Sequence, residues 1–403
     1  MLNNKVKTAK CEKWQCYQGI YVHIPFCLQK CLYCDFASYA GCTAKQQELY
    51  AEAVAAEIAA RAAEADNTAV SASIYFGGGT PSLLPITAIA GIVQALKEYG
   101  FWTAPAEATI EVNPGTADLE KLKQLRSLGF DRISFGVQSL QDEELRTIGR
   151  IHTAEQALAA IAAAREAGFA RISADLIYAL PGQTAASLQS TLEQLAVAQI
   201  EHISVYGLIV EEGTPLAKLV AAGKLQLPSE DEAADMYELV QQFLQEQGFS
   251  RYEISNYAKN GQFSRHNSVY WQYYPYIAFG AAACGFDGVS RRTAAAAVDD
   301  YIKQTQRLTP VNWQTSTLYE EERLTAAIQL EEFMFMGLRR SEGANLKEAQ
   351  LRFDVDVMQR FAAGLQPFLQ QGLLIFDEQS QHLRLTEKGM AVGNQIFEVF
   401  VIS

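Results

Sequence analysis

Short runs of β-branched and aromatic residues recur along the first 250 positions, each closed by glycine, proline or a polar cluster. They read IYVHIPF at 20–26, SIYFGGGT at 73–80, ATIEVNP at 108–114, RISFGVQS at 132–139, RISADLIY at 171–178 and HISVYGLIV at 202–210. Runs of this length and composition predict strands. Helical patterns fill the intervals at 44–65, 85–99, 117–128, 153–167, 184–198 and 229–247. The first of these is rich in alanine and glutamate, which favour helix by intrinsic propensity. Gly100, Gly129, Gly168 and Gly248 follow four of them, where a helix end takes a residue tolerant of positive φ. Such alternation predicts parallel strands joined by right-handed crossovers. Six units fall short of the eight of a closed barrel, so the expected fold is α/β, an incomplete (βα)6 TIM-type barrel over residues 20–255.

Beyond residue 255 the alternation breaks. Residues 256–319 are aromatic and glycine-rich, and predict an irregular connecting region. From 320 the pattern turns helical, with EERLTAAIQLEEFMFMGL followed by helices near 345–352 and 355–371. GLLIFDEQSQHLRLT then predicts two strands around a polar turn. Residues 320–403 are therefore expected to form a small helical, winged-helix-like domain. Residues 1–19 precede the first strand as an extension, expected to be a loose tail.

Composition narrows the function. The chain carries 33 basic against 46 acidic residues, a formal net charge of −13, which speaks against nucleic-acid binding through a basic face. The same charge makes the C-terminal domain a packing or docking module rather than a DNA reader. No run approaches the length of a membrane span, and the lysine-bearing start lacks the apolar core of a secretory signal. The cytoplasm is the expected location, where the seven cysteines read as ligands or free thiols rather than disulfides.

Three of those cysteines stand together. Cys27, Cys31 and Cys34 form C-x3-C-x2-C just past the first strand, at the strand ends where barrel folds build their sites. Soft thiolates suit zinc or an iron–sulfur cluster. A structural zinc site closes with four protein ligands, yet no second pair follows at a suitable distance, and Cys11, Cys16, Cys42 and Cys284 are scattered. Three thiolates on a four-iron cluster leave one iron open to an outside ligand, and the spacing favours that reading over zinc. Gly77, Gly78 and Gly79 end the second strand, where the absence of Cβ atoms lets a backbone approach a ligand, and Thr80 adds a hydroxyl. Glu111, Gln138 and Asp175 stand at or near the ends of successive strands and converge on one mouth. His23, inside a strand, reads as a hydrogen-bonded core histidine.

The cysteine spacing after YVHIPF, together with GGGTPS, EVNPG, SFGVQS, GRIH, DLIYALPGQT and LTEKGM, resembles the radical S-adenosylmethionine (SAM) superfamily. Within it, the chain resembles the branch of oxygen-independent coproporphyrinogen oxidase and the HemW-type haem chaperones. The resemblance implies a [4Fe-4S] cluster on Cys27, Cys31 and Cys34, whose open iron chelates the amino and carboxylate groups of SAM. It implies SAM contacts from Tyr21, Tyr33, Gly78, Gly79, Thr80, Glu111, Gln138, Arg150 and Asp175. The guanidinium fork of Arg150 suits the SAM carboxylate, and Glu111 and Asp175 suit ribose hydroxyls or the ammonium.

Two features separate the branches. The oxidases carry a fourth cysteine two residues after the third, where this chain has Phe36; the chaperones carry H-N-x-x-Y-W, which here is HNSVYW at 266–271. The resemblance thus points to a haem chaperone that delivers haem to an apo-haemoprotein such as a respiratory enzyme at the membrane. His266 is the candidate haem ligand, Tyr270 and Trp271 candidate packing for the macrocycle, and Arg265, Arg291 and Arg292 candidate partners for its propionates. In one respect the chain departs from the chaperones: Cys284 stands where they continue to a histidine. The alternatives are oxidative decarboxylation of coproporphyrinogen III and radical modification of haem.

Overall fold

The computed structural model describes residues 12–401, so Cys11 and most of the expected N-terminal tail lie outside the described residues. Six strands, β1 (Tyr17–Ile24), β2 (Thr68–Gly78), β3 (Ala108–Val112), β4 (Arg132–Gln138), β5 (Arg171–Tyr178) and β6 (His202–Gly207), are neighbours in that order and all parallel. Helices α1 (Ala44–Ala60), α2 (Ile86–Glu98), α3 (Leu119–Leu128), α4 (Ala154–Glu166), α5 (Ala185–Val197) and α6 (Glu230–Glu246) fall in the expected intervals. Their starts are set locally. Thr43, Thr153, Thr184 and Ser229 each accept from the backbone three residues on, in capping boxes with Gln46, Gln156, Ser187 and Glu232. Gly100, Gly129, Gly168 and Gly248 all take positive φ, as a chain leaving a helix there requires. The barrel core is apolar: Ile20, Val22, Ile74, Phe76, Ile110, Ile133, Phe135 and Ile172 are fully buried.

One helix ends early. The alanine-rich pattern runs on to 65, but α1 stops at Ala60 and a 3-10 turn covers Ala62–Asn67. The cause is tertiary. Arg61 is buried, its guanidinium reaching Glu57 (2.9 Å), Glu64 (2.6 Å) and the Ala278 carbonyl (2.7 Å).

The segment predicted to be irregular contributes short strands to the sheet, beside helices Arg265–Trp271 and Val298–Thr305. β7 (Tyr276–Phe279) pairs in parallel with the free side of β1, and β8 (Cys284–Phe286), β9 (Ser290–Ala294) and β10 (Tyr319–Arg323) extend it antiparallel. With two short strands beyond β6, the sheet has twelve strands. The strands β7 to β10 are three to five residues long, with Gly280 and Gly288 between them, too short to show a period of two. Buried Glu57 joins this edge to α1. It accepts from the Gly280 N–H (2.9 Å), Tyr301 (2.6 Å), Tyr319 (2.8 Å) and Arg61, so its charge is satisfied rather than stranded.

After β10, α7 (Ala326–Arg339) opens the C-terminal domain. Helices Leu346–Phe353, Val357–Arg360 and Ala362–Gln370 follow, with strands Leu374–Asp377 and His382–Leu385 antiparallel and Ala344–Asn345 added to them. Its core of Phe333, Met334, Leu338, Leu365, Leu383 and Phe400 also takes in Tyr273 and Phe286, from the other side of α7. The two parts therefore share apolar contacts. Among the described residues, no helix is long and apolar enough to cross a membrane.

Candidate functional site

The strand ends open onto a cleft of about 1520 Å³, counting its mouth, lined by all three clustered cysteines and by Tyr33, Gly78, Gly79, Thr80, Glu111, Gln138, Arg150 and Asp175. The loop that bears the cysteines is held at both ends. Phe26–Cys27 pairs with Tyr39–Ala40, and the Tyr39 N–H donates to the Pro25 carbonyl at 2.7 Å. Mid-loop, the Leu32 N–H donates to the Ile148 carbonyl (3.0 Å) and the Leu32 carbonyl accepts from the Leu216 N–H (2.9 Å). Gly149, at φ +78, makes room for Leu32, since a Cβ there would lie 2.9 Å from Leu32 Cγ. His23 lies beneath, buried, its Nε2 3.0 Å from the Ala37 carbonyl and its Nδ1 2.9 Å from the Tyr21 hydroxyl. It is the core histidine that its strand position predicts.

Two glycines of the triplet are needed for close approach. Gly78 has φ +114 and lies over the His23 ring, which a Cβ would meet at 2.5 Å; a Cβ on Gly79 would stand 2.7 Å from the Phe26 carbonyl oxygen and 3.0 Å from Cys27 Sγ. Gly79→Ala should therefore push the cysteine loop off the strand ends and cost about 1–3 kcal/mol. Thermal unfolding measures this, and an alanine variant as stable as the parent would contradict the packing.

Polar side chains are fixed across the cleft. Asn113 donates to Thr80 Oγ1 (2.7 Å) and accepts from Arg150 Nη2 (2.9 Å); Arg150 also reaches the Gly136 carbonyl (2.5 Å) and Cys31 Sγ (3.5 Å). Its buried Nε has no partner, a donor left over for a ligand. Glu111 accepts from Tyr75 (2.6 Å) and from the Gly78 N–H (3.1 Å), yet burial pushes its carboxyl up to about 7. Asp175 is also raised, by burial first, although Ser134 donates to it at 3.2 Å. Gln138 takes φ +65 at a bulge in β4, backbone strain of the kind that gathers at sites. Asn113 was not singled out from the sequence. Its signal is its place two residues after Glu111, on the same side of the chain.

No group of three or more histidine, cysteine, aspartate or glutamate side chains among the described residues could hold a metal ion. A single zinc needs its sulfurs about 2.3 Å from one point, whereas a cluster spreads its thiolates over different irons. The three cysteines line one cleft, and a donor set of three thiolates suits a cluster with one open iron better than a zinc site closed by four protein ligands.

Two groups of expected residues do not belong to this cleft. Tyr21 is not among its lining residues. Its ring lies 6.3 Å from those of Tyr75 and His266, within the barrel. His266 requires a larger correction: it is 1% exposed, on a seven-residue helix (Arg265–Trp271). Its Nδ1 is 3.0 Å from Ser73 Oγ, its Nε2 is 2.8 Å from the Tyr270 hydroxyl, and its ring stacks on Tyr75 at 5.0 Å. Burial pushes its pKa down to about 3. Both ring nitrogens are engaged inside the protein, so in this conformation His266 offers none to a haem iron. Tyr270 meets Tyr276 edge-on at 4.7 Å, and Arg339 stacks over Trp271 at 4.8 Å. Arg291 pairs with Glu332 (2.6 Å) and Glu322 (3.6 Å), and Arg292 with Glu321 (2.6 Å), leaving only Arg265 of the three arginines exposed and outside the described ion pairs. Cys284 lies on β8 opposite Thr293, away from the cleft lining.

Residues 21–195 match the family model of the radical SAM superfamily, and residues 324–392 that of the HemN C-terminal domain. The protein named heme chaperone HemW of Lactococcus lactis is 35% identical over 382 residues, covering 95% of this chain and 97% of its own. That of Bacillus subtilis is 34% identical over 386 residues, covering 95% and 99%. A radical S-adenosyl methionine domain-containing protein 1, mitochondrial, of Danio rerio is 34% identical, covering 95% and 87%. Among solved structures, coproporphyrinogen III oxidase (HemN) of Escherichia coli, described as a radical SAM enzyme, aligns with TM-score 0.80 and 25% identity over 96% of this chain and 91% of its own.

Proposed function

This chain belongs to the HemW family of the radical SAM superfamily, and from that premise we propose that it binds haem and hands it to an apo-haemoprotein, a membrane respiratory enzyme being the candidate acceptor. The observation that carries the proposal is full-length likeness to proteins named heme chaperones, joined to Phe36 in place of the oxidases' fourth cysteine. Phe36 is 69% exposed on the cleft lining.

In this reading Cys27, Cys31 and Cys34 hold a [4Fe-4S] cluster and the cleft holds SAM. When bound, the cluster supplies an electron and one open coordination position for the amino-acid end of SAM. The chain's own residues bind and orient. Arg150, with its unpaired Nε, takes the SAM carboxylate as a planar fork. The Gly78–Gly79 backbone and Thr80 face the amino group, and Glu111, Gln138 and Asp175 receive the nucleoside. Tyr33 walls the cleft beside Ile148, Ile177 and Leu180 and excludes water from the thiolates.

A second reading, coproporphyrinogen oxidation, is favoured by the fold likeness to HemN. One pair of measurements separates them. The anaerobic holoprotein should give a stable Soret band with micromolar haemin, and no porphyrinogen product from coproporphyrinogen III with SAM and reductant. Product formation without haemin binding would replace the chaperone reading with the oxidase one.

A further inference from the structure

Sharing no lining residue with the strand-end cleft, a crevice of about 830 Å³, counting its mouth, runs between the end of α6, the edge strand Ser250–Arg251 and the C-terminal sheet. Arg251 lines it from the barrel side and Arg384 from the strand His382–Leu385. Among the described residues neither forms an ion pair. The Arg251 side chain donates to a phenol, Tyr237, at 3.1 Å and faces a second, Tyr257, while Arg384 acts at a distance on exposed Asp377. Tyr257 also lines the crevice; it is 3% exposed, its oxygen faces the Arg251 guanidinium, and its O–H meets no acceptor. The one carboxylate on the lining is that of exposed Glu387, and Phe249, Leu385 and Met390 give an apolar wall.

In a chain of net charge −13, two arginines outside every described ion pair and a buried phenol whose O–H lacks an acceptor describe a site short of an anion. A guanidinium binds carboxylate through parallel, charge-assisted hydrogen bonds, and burial of the phenol makes an added acceptor worth a bond. An open-sided crevice with an apolar wall and two cationic forks suits a flat apolar molecule bearing two carboxylates. We propose that this crevice takes haem by its propionates. The inference rests on the chaperone reading. It also gives haem a place that enclosed His266 does not, in a crevice from which an acceptor could withdraw it.

The test is a haemin titration of the full chain followed at the Soret band, repeated with haemin dimethyl ester, whose propionates are blocked. Haemin should bind at least about tenfold more tightly than the diester. Arg251→Ala/Arg384→Ala should remove that margin, leaving diester affinity unchanged. Tyr257→Phe, which deletes one oxygen and keeps the ring, should weaken haemin severalfold without lowering the unfolding midpoint. It decides the matter should the double variant fail to fold. Parental haemin affinity in Tyr257→Phe and in a folded double variant would overturn the inference and leave the chaperone reading standing. Absence of haemin binding by the parent protein would remove the reading itself.

Discussion

Serine in place of Cys31 is expected to empty the strand-end cleft of iron. Anaerobically purified parent protein should contain about four irons and about four acid-labile sulfides per chain, and Cys31→Ser close to none of either. A serine hydroxyl is a hard, weakly acidic donor in a position that requires a soft thiolate, and the other two cysteines cannot by themselves anchor a cube. The variant should still fold. The loop is fixed by backbone hydrogen bonds from Leu32 to Ile148 and from Leu216 to Leu32, and by the Phe26–Cys27 pairing with Tyr39–Ala40, none of which uses the thiol. The contact that is lost, Arg150 Nη1 to Cys31 Sγ at 3.5 Å, lies within the cleft. Circular dichroism and the thermal midpoint of the two apoproteins should agree closely. Retention of full iron and sulfide in the serine variant, or one zinc and no sulfide in the parent, would refute the three-thiolate cluster.

What the sequence made legible follows from the range of the forces involved. Strand ends, helix caps and positive-φ glycines are set by neighbours three or four positions away, so Thr153 with Gln156, or Gly129 at φ +116, can be read from a few letters. The cleft was legible for the same reason. Parallel strands place one residue each at a common end, and Glu111, Gln138 and Asp175 could be found by counting. Contacts made across the whole chain were not. β7 pairs with β1 some 250 residues away, and no local pattern announces the partner that makes Tyr276–Phe279 a strand. The environment of His266 depends on Ser73 from β2 and Tyr75 beside it; a histidine in a polar, aromatic motif looks the same whether it faces a ligand or the core. Arg291 and Arg292 read as free cations until β10 sets Glu321 and Glu322 beside them.

Replacing Glu111 by glutamine should make the protein more stable and a worse binder of SAM, both most strongly at alkaline pH. The carboxyl is buried at the end of β3, and burial outweighs the hydrogen bonds from Tyr75 and Gly78, moving its pKa from 4.5 to about 7. An acid whose pKa is raised on folding holds its proton more firmly in the folded state. Its charge therefore costs the fold nothing below pH 4.5, a growing amount between 4.5 and about 7, and a constant amount above. That plateau amounts to roughly 3 kcal/mol. Glutamine keeps the shape without the charge, so the variant should gain stability over the parent at pH 8 and nearly match it at pH 4.5, as chemical unfolding at the two pH values would measure. SAM binding should run the other way. A carboxylate accepting from ribose hydroxyls is strongest when ionised, so parent affinity should rise as pH passes through about 7, while that of Glu111→Gln should be about tenfold lower at pH 8 and should lack the rise that Glu111 gives, keeping only what Asp175 contributes. A buried charge that weakens the fold and strengthens a ligand is kept for the ligand. Equal SAM affinity in the two proteins across that range would mean that Glu111 serves only to hold Tyr75 and the glycine turn in place.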